Sequence, residues 1–332
     1  MNFASILDKN YIPRLNALLY SLDKHESSFT YFVIALDIET SNFFQNRKNC
    51  IIITIDKIES NYPILKLLKN QRSSINYLFT LSPFYPSYIL EAYPELDHIC
   101  TLDVDQYFFS SPKPIFKLLD EYSVLITPHR FTSSLLNRGF EVFGKYNVSF
   151  QIFKNDETGL ACLNLWRKQC VNWCFDHIEK DLYADQKYLE TWNSHFENKI
   201  LEITNKGLGL APWNIENVRI IKKKNEIYVD NELLILYHYQ GLKVLDYGFI
   251  YTYLDNYSEN KVDTILNLIY KPILKKLLTF TVKVDSFIRN NLVFDINFLK
   301  EKSDYVIKRK FGFLFIFTHF LFFKEKVLRI KK

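Results

Sequence analysis

Asp103 and Asp105 stand one residue apart at the end of an apolar run, in "ICTLDVDQYFFSSP" (99–112), with aromatics and a Ser-Ser-Pro turn behind them. Two carboxylates at this spacing offer hard oxygen ligands. Mg²⁺ and Mn²⁺ are commonly held by one or two carboxylates together with phosphate oxygens of a substrate. The chemistry open to the pair is therefore to hold a divalent ion against a diphosphate and neutralise the charge of a departing nucleotide. Both carboxylates reach one ion where a strand gives way to a turn, and the prolines of "FFSSPKPIF" fix such a bend. The motif is short, and a solvated loop carries the same pattern, so the surroundings decide.

The elements that must position the pair are legible as short apolar runs. Strands are expected at "FASIL" (3–7), "YFVIALD" (31–37), "CIIITI" (50–55), "YSVLIT" (122–127) and "VSFQIFK" (148–154). A helix is expected from Pro13 to Leu22 and another near 75–91, running into "HICTLD". The clearest helix is "GLACLNLWRKQCVNWCFDHIEK" (159–180), where Leu160, Leu163, Trp166, Cys170, Trp173 and Cys174 follow a 3.6-residue period. Strands alternating with helices predict an α/β fold with a mostly parallel sheet. Ligands of such sheets bind outside the carboxyl ends of the strands, where Asp103 and Asp105 fall.

Composition agrees with a large folded domain. The chain has 332 residues, of which 48% are hydrophobic and 24% charged, so a sizeable core is expected and global disorder is not. Only 8 Gly and 10 Pro stand against 29 Phe and 22 Tyr, which argues against a turn-rich all-β architecture. The five cysteines (Cys50, Cys100, Cys162, Cys170, Cys174) show no Cys-x-x-Cys spacing and read as buried reduced thiols. The N-terminus lacks the features of a signal peptide, so a cytoplasmic location is expected.

Charge divides the chain. Residues 261–332 hold 16 Lys+Arg against 6 Asp+Glu, whereas the whole chain is only +5, so the preceding body is mildly acidic. The tail contains "FGFLFIFTHFLFF" (311–323) between basic clusters, too short to span a bilayer but suited to an amphipathic helix lying in a membrane interface. The expected organisation is a catalytic domain over 1–255 and a basic, aromatic-rich helical extension over 256–332. The alternative is a C-terminal helix packed on the domain. Basic residues interleaved with Leu, Ile and Phe suit lipid better than a phosphate groove, so no nucleic-acid partner is expected.

The stretches "DKNYIPRLNALLYSL" (8–22), "ICTLDVDQYFFSSP", "KYNVSFQIFKND" (145–156), "LYADQKYLETW" (182–192) and "YHYQGLK" (237–243) occur in that order. Together they resemble the retaining, nucleotide-sugar-dependent glycosyltransferases of family 8 and related bacterial surface-polysaccharide transferases, over roughly residues 1 to 250. The resemblance implies a GT-A fold and a Mn²⁺ or Mg²⁺ cofactor. It also implies a nucleoside diphosphate-sugar donor, with uridine favoured, and a glycan or glycolipid acceptor at the inner membrane surface. It implies that Asp8, Asn10 and Tyr11 hold the nucleobase and that Arg72, with Ser73 and Tyr77 as further candidates, reaches the nucleotide. Asp103, Asp105 and His238 would bind metal, and Gly241 and Lys243 would approach the diphosphate. A neutral imidazole is a sound third ligand, and an ammonium beside the β-phosphate stabilises a leaving group.

Three departures from the family pattern stand out. The closing His-x-x-Gly-x-x-Lys reads His238-Tyr-Gln-Gly241-Leu-Lys243, one residue shorter. The Asp-Gln-Asp motif reads Asp185-Gln186-Lys187, and "FNAG" becomes Tyr146-Asn147-Val148-Ser149. Asp185 and Gln186 are expected near the anomeric centre, and Asn147 on a sugar hydroxyl. Trp213 or Asn214 is a candidate cover for the sugar, and His129 with Arg130 for an anionic acceptor. Competing readings are weaker. A haloacid-dehalogenase-type phosphatase usually has Thr or Val where Tyr107 stands, and a sugar-nucleotide-forming nucleotidyltransferase should open with a glycine-rich loop, whereas "ILDKNYIPRLN" has none. A catalytically degenerate transferase fold tethered at the membrane is the alternative of a different class.

Overall fold

The structure is a computed structural model that describes residues 1–244, 249–257, 262–274, 276–277, 279–280 and 327–329. The chain opens with β1 (Asn2–Leu7), α1 (Ile12–Asp23), β2 (Thr30–Ala35), α2 (Ile38–Phe44) and β3 (Cys50–Thr54). Four helices follow: α3 (Ile55–Asn61), α4 (Ile64–Gln71), α5 (Ser74–Leu81) and α6 (Phe84–Ala92). Then come β4 (His98–Leu102), β5 (Gln106–Phe108), α7 (Lys113–Phe116), β6 (Val124–Pro128), α8 (Ser133–Leu136), β7 (Tyr146–Lys154) and α9 (Glu157–Asn172). Beyond these lie α10 (Trp192–His195), β8 (Ile200–Glu202), β9 (Ile220–Lys223), β10 (Glu226–Val229), β11 (Glu232–Leu233) and β12 (Leu236–His238). The last described elements are β13 (Lys243–Val244), β14 (Phe249–Tyr251), α11 (Val262–Ile265) and β15 (Val327–Arg329), which pairs with β14.

The main sheet has the order β3-β2-β1-β4-β7-β6-β8. Every neighbouring pair is parallel except those that β7 makes with β4 and β6, so the sheet is mixed and mostly parallel, as expected. Strand β2 is buried on both faces and reads accordingly as an unbroken apolar run. Its Phe32 and Ile34 join Ala4, Ile89, Phe153 and Trp166 in the core under α5, α6 and α9. Its Tyr31 and Val33 join Phe3, Leu15, Leu19 and Phe150 in the core under α1 on the other face. Each such buried Phe or Val contributes roughly 1.5–3 kcal/mol.

Two helix boundaries differ from the sequence reading. The helix expected near 75–91 is two helices, because Ser82-Pro83 interrupts it and Pro83 opens α6. The helix expected over 159–180 ends at Asn172, with Trp173 extended (φ −152°, ψ 130°) and Cys174 buried beyond it. Leu160, assigned to the apolar stripe, is exposed. The cause of the early stop is Arg72, whose guanidinium donates to the carbonyls of Cys170 and Val171, both at 2.7 Å, and so closes the last turn.

A third core joins the start of the basic extension to the domain. Ile265, Leu266, Ile269, Tyr270, Ile273, Leu274 and Leu277 pack with Ala17 of α1, Tyr107 of β5 and Tyr237 of β12. Tyr239 donates its hydroxyl hydrogen to the carbonyl of Ile269 at 2.8 Å. The aromatic run 311–323 lies outside the described residues. Among the described residues, no helix is long and apolar enough to cross a membrane.

Candidate active site

Neighbouring strands β1 and β4 end side by side, and the chain order reverses between them, since β2 and β3 lie beyond β1 and β7 beyond β4. A crevice outside the carboxyl ends is the outcome of such a reversal. Leu7 runs into the loop of Asp8, Asn10 and Tyr11, while Leu102 runs into Asp103. Asp8 accepts from the backbone N–H of Asn10 at 2.9 Å and from its side-chain amide at 3.2 Å, which folds the loop into a single helical turn before α1. Tyr11 is 43% exposed, so its ring is available to a planar ligand.

The Asp103–Asp105 turn is pinned from both sides. The N–H of Asp103 donates to the carbonyl of Ser149 at 3.1 Å, and the side chain of Gln106 donates to the same oxygen at 2.7 Å. The carbonyl of Asp105 accepts from Tyr239 N–H at 2.8 Å. Strand β5 then pairs antiparallel with β12, which sets His238 opposite Gln106. The result is a three-residue cluster: His238 Nε2 lies 3.1 Å from Asp105 Oδ1 and 3.8 Å from Asp103 Oδ2.

The cluster has the chemistry of a divalent-cation site. His238 is buried, and neither ring nitrogen meets a partner in hydrogen-bond geometry. Unpaired buried polar atoms are costly unless a ligand satisfies them. The carboxylates supply hard oxygens and the imidazole a nitrogen, a donor set suited to Mn²⁺ or Mg²⁺. Burial holds Asp103 above its usual range, at about 6, with His238 opposing and Asp105 adding to the rise. Asp105 is also penalised by burial, but His238 and then Arg14 outweigh it and keep its carboxyl low. Burial opposes charge on His238 as well, yet Asp105 and Asp103 together raise it, so an incoming cation competes with a proton on the ring.

Asn147, Asp185 and Gln186 occupy defined positions on β7 and on the segment after α9. Asn147 is buried, with its carbonyl oxygen accepting from Ser149 N–H at 3.1 Å and its amide nitrogen without a partner. Asp185 is 1% exposed, its Oδ2 has no partner, and burial lifts it to about 7, with the Ser82 hydroxyl opposing and Asp103 adding a smaller push. Its backbone follows Ala184, which is held at φ +48°, a conformation that side chains other than glycine adopt only under local constraint. The carbonyl of Asp185 accepts from Trp166 Nε1 at 2.8 Å. Gln186 donates its amide to the carbonyl of Phe143 at 2.7 Å.

Several of the expected site residues make structural bonds. Arg72 serves the end of α9, Ser73 caps α5, and Tyr77 donates to Glu59 at 2.8 Å, so none of the three is spent on the Asp–His cluster. His129 and Arg130, the candidates for an anionic acceptor, are tied to backbone carbonyls. His129 is buried and its pKa is pushed down to about 3 by that burial, while its Nδ1 bonds the carbonyl of Gly144. Arg130 donates to the carbonyls of Asn205 and Leu208. Asn214 is likewise structural, donating to the carbonyls of His129 and Gly209. Trp213 is buried edge-on to His238 at 5.1 Å and to His129 at 5.4 Å, so it walls the cluster.

Gly241 is at φ +78°, and a Cβ there would meet the Tyr253 ring at 2.5 Å. Lys243 follows as an exposed residue at the start of β13. Sequence reasoning missed Arg14, which donates to the carbonyl of Leu242 at 2.8 Å and ties this loop to α1. Its position three residues after Tyr11 on a helix was the signal that could have found it.

The mixed, mostly parallel seven-strand sheet flanked by helices is a GT-A-type fold, and the chain is similar in fold to solved glycosyltransferases. The glycosyltransferase GlyE of Streptococcus pneumoniae TIGR4 superposes with a TM-score of 0.50 at 14% identity, covering 87% of this chain and 63% of that one. The galactosyltransferase LgtC, solved in complex with donor and acceptor sugar analogues, gives 0.47 at 15% identity, covering 73% of this chain and 87% of its own. In sequence, the chain is similar to the uncharacterised protein YfnD of Bacillus subtilis (strain 168), at 24% identity over 312 residues, covering 90% of this chain and 98% of YfnD. YfnF of the same organism is 26% identical over 251 residues, covering 73% and 82%. No family model matches the chain.

Proposed function

We propose that the protein is a metal-dependent glycosyltransferase that moves a sugar from a nucleoside diphosphate-sugar to an acceptor hydroxyl, with retention of the anomer. The observation that carries this reading is the convergence of Asp103, Asp105 and a buried His238 at the carboxyl edge of β4. Those three residues would hold Mn²⁺ or Mg²⁺. When bound, the ion supplies positive charge against the diphosphate of the leaving nucleotide.

The residues of the chain divide the remaining work. Asp8 and Asn10 offer hydrogen bonds to a base edge and the exposed Tyr11 ring offers a face, with uridine the favoured base. Gly241 lets the backbone approach the diphosphate, and Lys243 adds an ammonium. The unpartnered amide of Asn147 is a donor for a sugar hydroxyl. Gln186 holds its amide nitrogen on Phe143, leaving its carbonyl oxygen for the oxocarbenium-like centre. Its neighbour Asp185 is held toward its neutral form by burial. The acceptor's proton leaves with the nucleotide phosphate, so no separate base is required. The basic extension supports an acceptor that is a glycolipid or surface glycan, with the enzyme peripheral at the cytoplasmic face of the inner membrane.

Thermal stabilisation of the purified protein by a panel of nucleoside diphosphates, each with and without Mn²⁺, tests the reading. A metal-requiring shift with one nucleotide, lost in Asp103→Ala, is the expected result. Absence of any shift would replace it with a degenerate binding module.

A further inference from the structure

Arg14 stands in the first turn of α1, directly after the Asp8–Tyr11 loop. Its guanidinium carbon lies 4.9 Å from the centre of the Tyr11 ring, and its Nη2 donates to the carbonyl of Leu242. It therefore bridges the loop that follows β1 and the loop that follows β12. Among the described residues, no carboxylate lies within ion-pair distance of it, and Leu242 is its one hydrogen-bond partner. A half-buried guanidinium with most of its N–H donors unspent is an anion site in waiting, and its planar fork matches phosphate oxygens.

The charge balance points the same way. A divalent ion held by Asp103 and Asp105 would match their charge and leave the Arg14 cation to a further anion. Its field reaches Asp105 and Tyr11 across the site, and it helps to hold the Asp105 carboxyl low. We propose that Arg14 binds the diphosphate of the nucleotide donor, and that its bond to Leu242 couples leaving-group binding to the seating of the Gly241 loop. The proposal rests on the nucleotide-sugar reading above.

Calorimetric titration of the full-length, Mn²⁺-loaded protein with uridine, guanosine and thymidine diphosphates, and with the matching nucleosides, provides the test. Arg14→Gln keeps a donor for the Leu242 carbonyl and removes the charge. It should weaken the preferred diphosphate by about tenfold or more, the scale of a charged hydrogen bond, and leave nucleoside binding unchanged. Arg14→Lys should recover part of that loss. Mn²⁺ alone should bind Arg14→Gln as tightly as wild type or tighter, because a like charge has been removed. Diphosphate affinity unchanged in Arg14→Gln would overturn the proposal and leave Arg14 a loop tether. Parallel loss of Mn²⁺ affinity, diphosphate affinity and melting temperature in both variants would also overturn it, as a purely structural effect. Failure of the wild type to bind any diphosphate would instead overturn the donor reading itself.

Discussion

The imidazole of His238 and the carboxylate of Asp105 meet at 3.1 Å although they lie in distant parts of the chain, because β12 pairs with β5 in a register that sets His238 opposite Gln106. A slip of one residue in that ribbon would turn the ring to the other face and dissolve the cluster. The site is thus a property of a strand pairing, and several outcomes follow from it.

Asp105→Asn should leave the fold intact and cut metal-dependent turnover by about a hundredfold or more, since even indirect supports of a metal site cost about 10–100-fold. Circular dichroism and Mn²⁺ titration check the two halves. Retained turnover would remove the metal from the reaction.

Asp185 binds its proton more tightly in the folded protein than in the unfolded chain. Between the ordinary carboxyl value, about 4, and about 7, the native state holds the extra proton, so stability falls as pH rises through that window and levels off above it. Asp185→Asn should therefore melt close to wild type at pH 4 and above it at pH 8 in metal-free buffer, while losing activity. Melting curves that run parallel across the range would show that the carboxyl is not held neutral.

Gly241→Ala forces a side chain into a left-handed backbone and against the Tyr253 ring. The strain is roughly 1–3 kcal/mol, and it falls on the loop rather than on β12. Nucleoside diphosphate affinity should drop while Mn²⁺ affinity stays near wild type, because His238 precedes the loop. Equal losses of both would mean that the loop and the cluster are one unit.

Arg72→Ala separates a structural arginine from the one at position 14. Removing its bonds to Cys170 and Val171 should destabilise the protein by roughly 1.5–3 kcal/mol, read from chemical denaturation, with nucleotide affinity unchanged. A selective loss of nucleotide binding at full stability would return Arg72 to the site.

Legibility in the sequence followed the range of the interactions. Strands β1 to β3 and α1 could be read because their patterns are local: short apolar runs rich in strand formers, and a helix opened by a proline. The end of α9 could not, because Arg72 decides it from nearly a hundred residues away. The short strands β5, β8 and β12 carry too few residues to show a period. Arg72 and Arg14 look alike as isolated basic residues beside helices. Only packing separates the arginine that closes a helix from the one that ties the Tyr11 loop to Leu242.

By itself, the sequence determined the alternation that makes a mostly parallel sheet, the two carboxylates at the end of β4 and the charge contrast between body and extension. These depend on residue type and on neighbours within a few positions. The resemblance grouped His238 with Asp103 and Asp105, but the tertiary structure alone decided how close they come, that Asp185 is buried with one oxygen unpartnered, and that Arg14 reaches Leu242. Each of those relations is a distance across the fold. Distances of that kind are set by strand order and register, which local propensity does not encode.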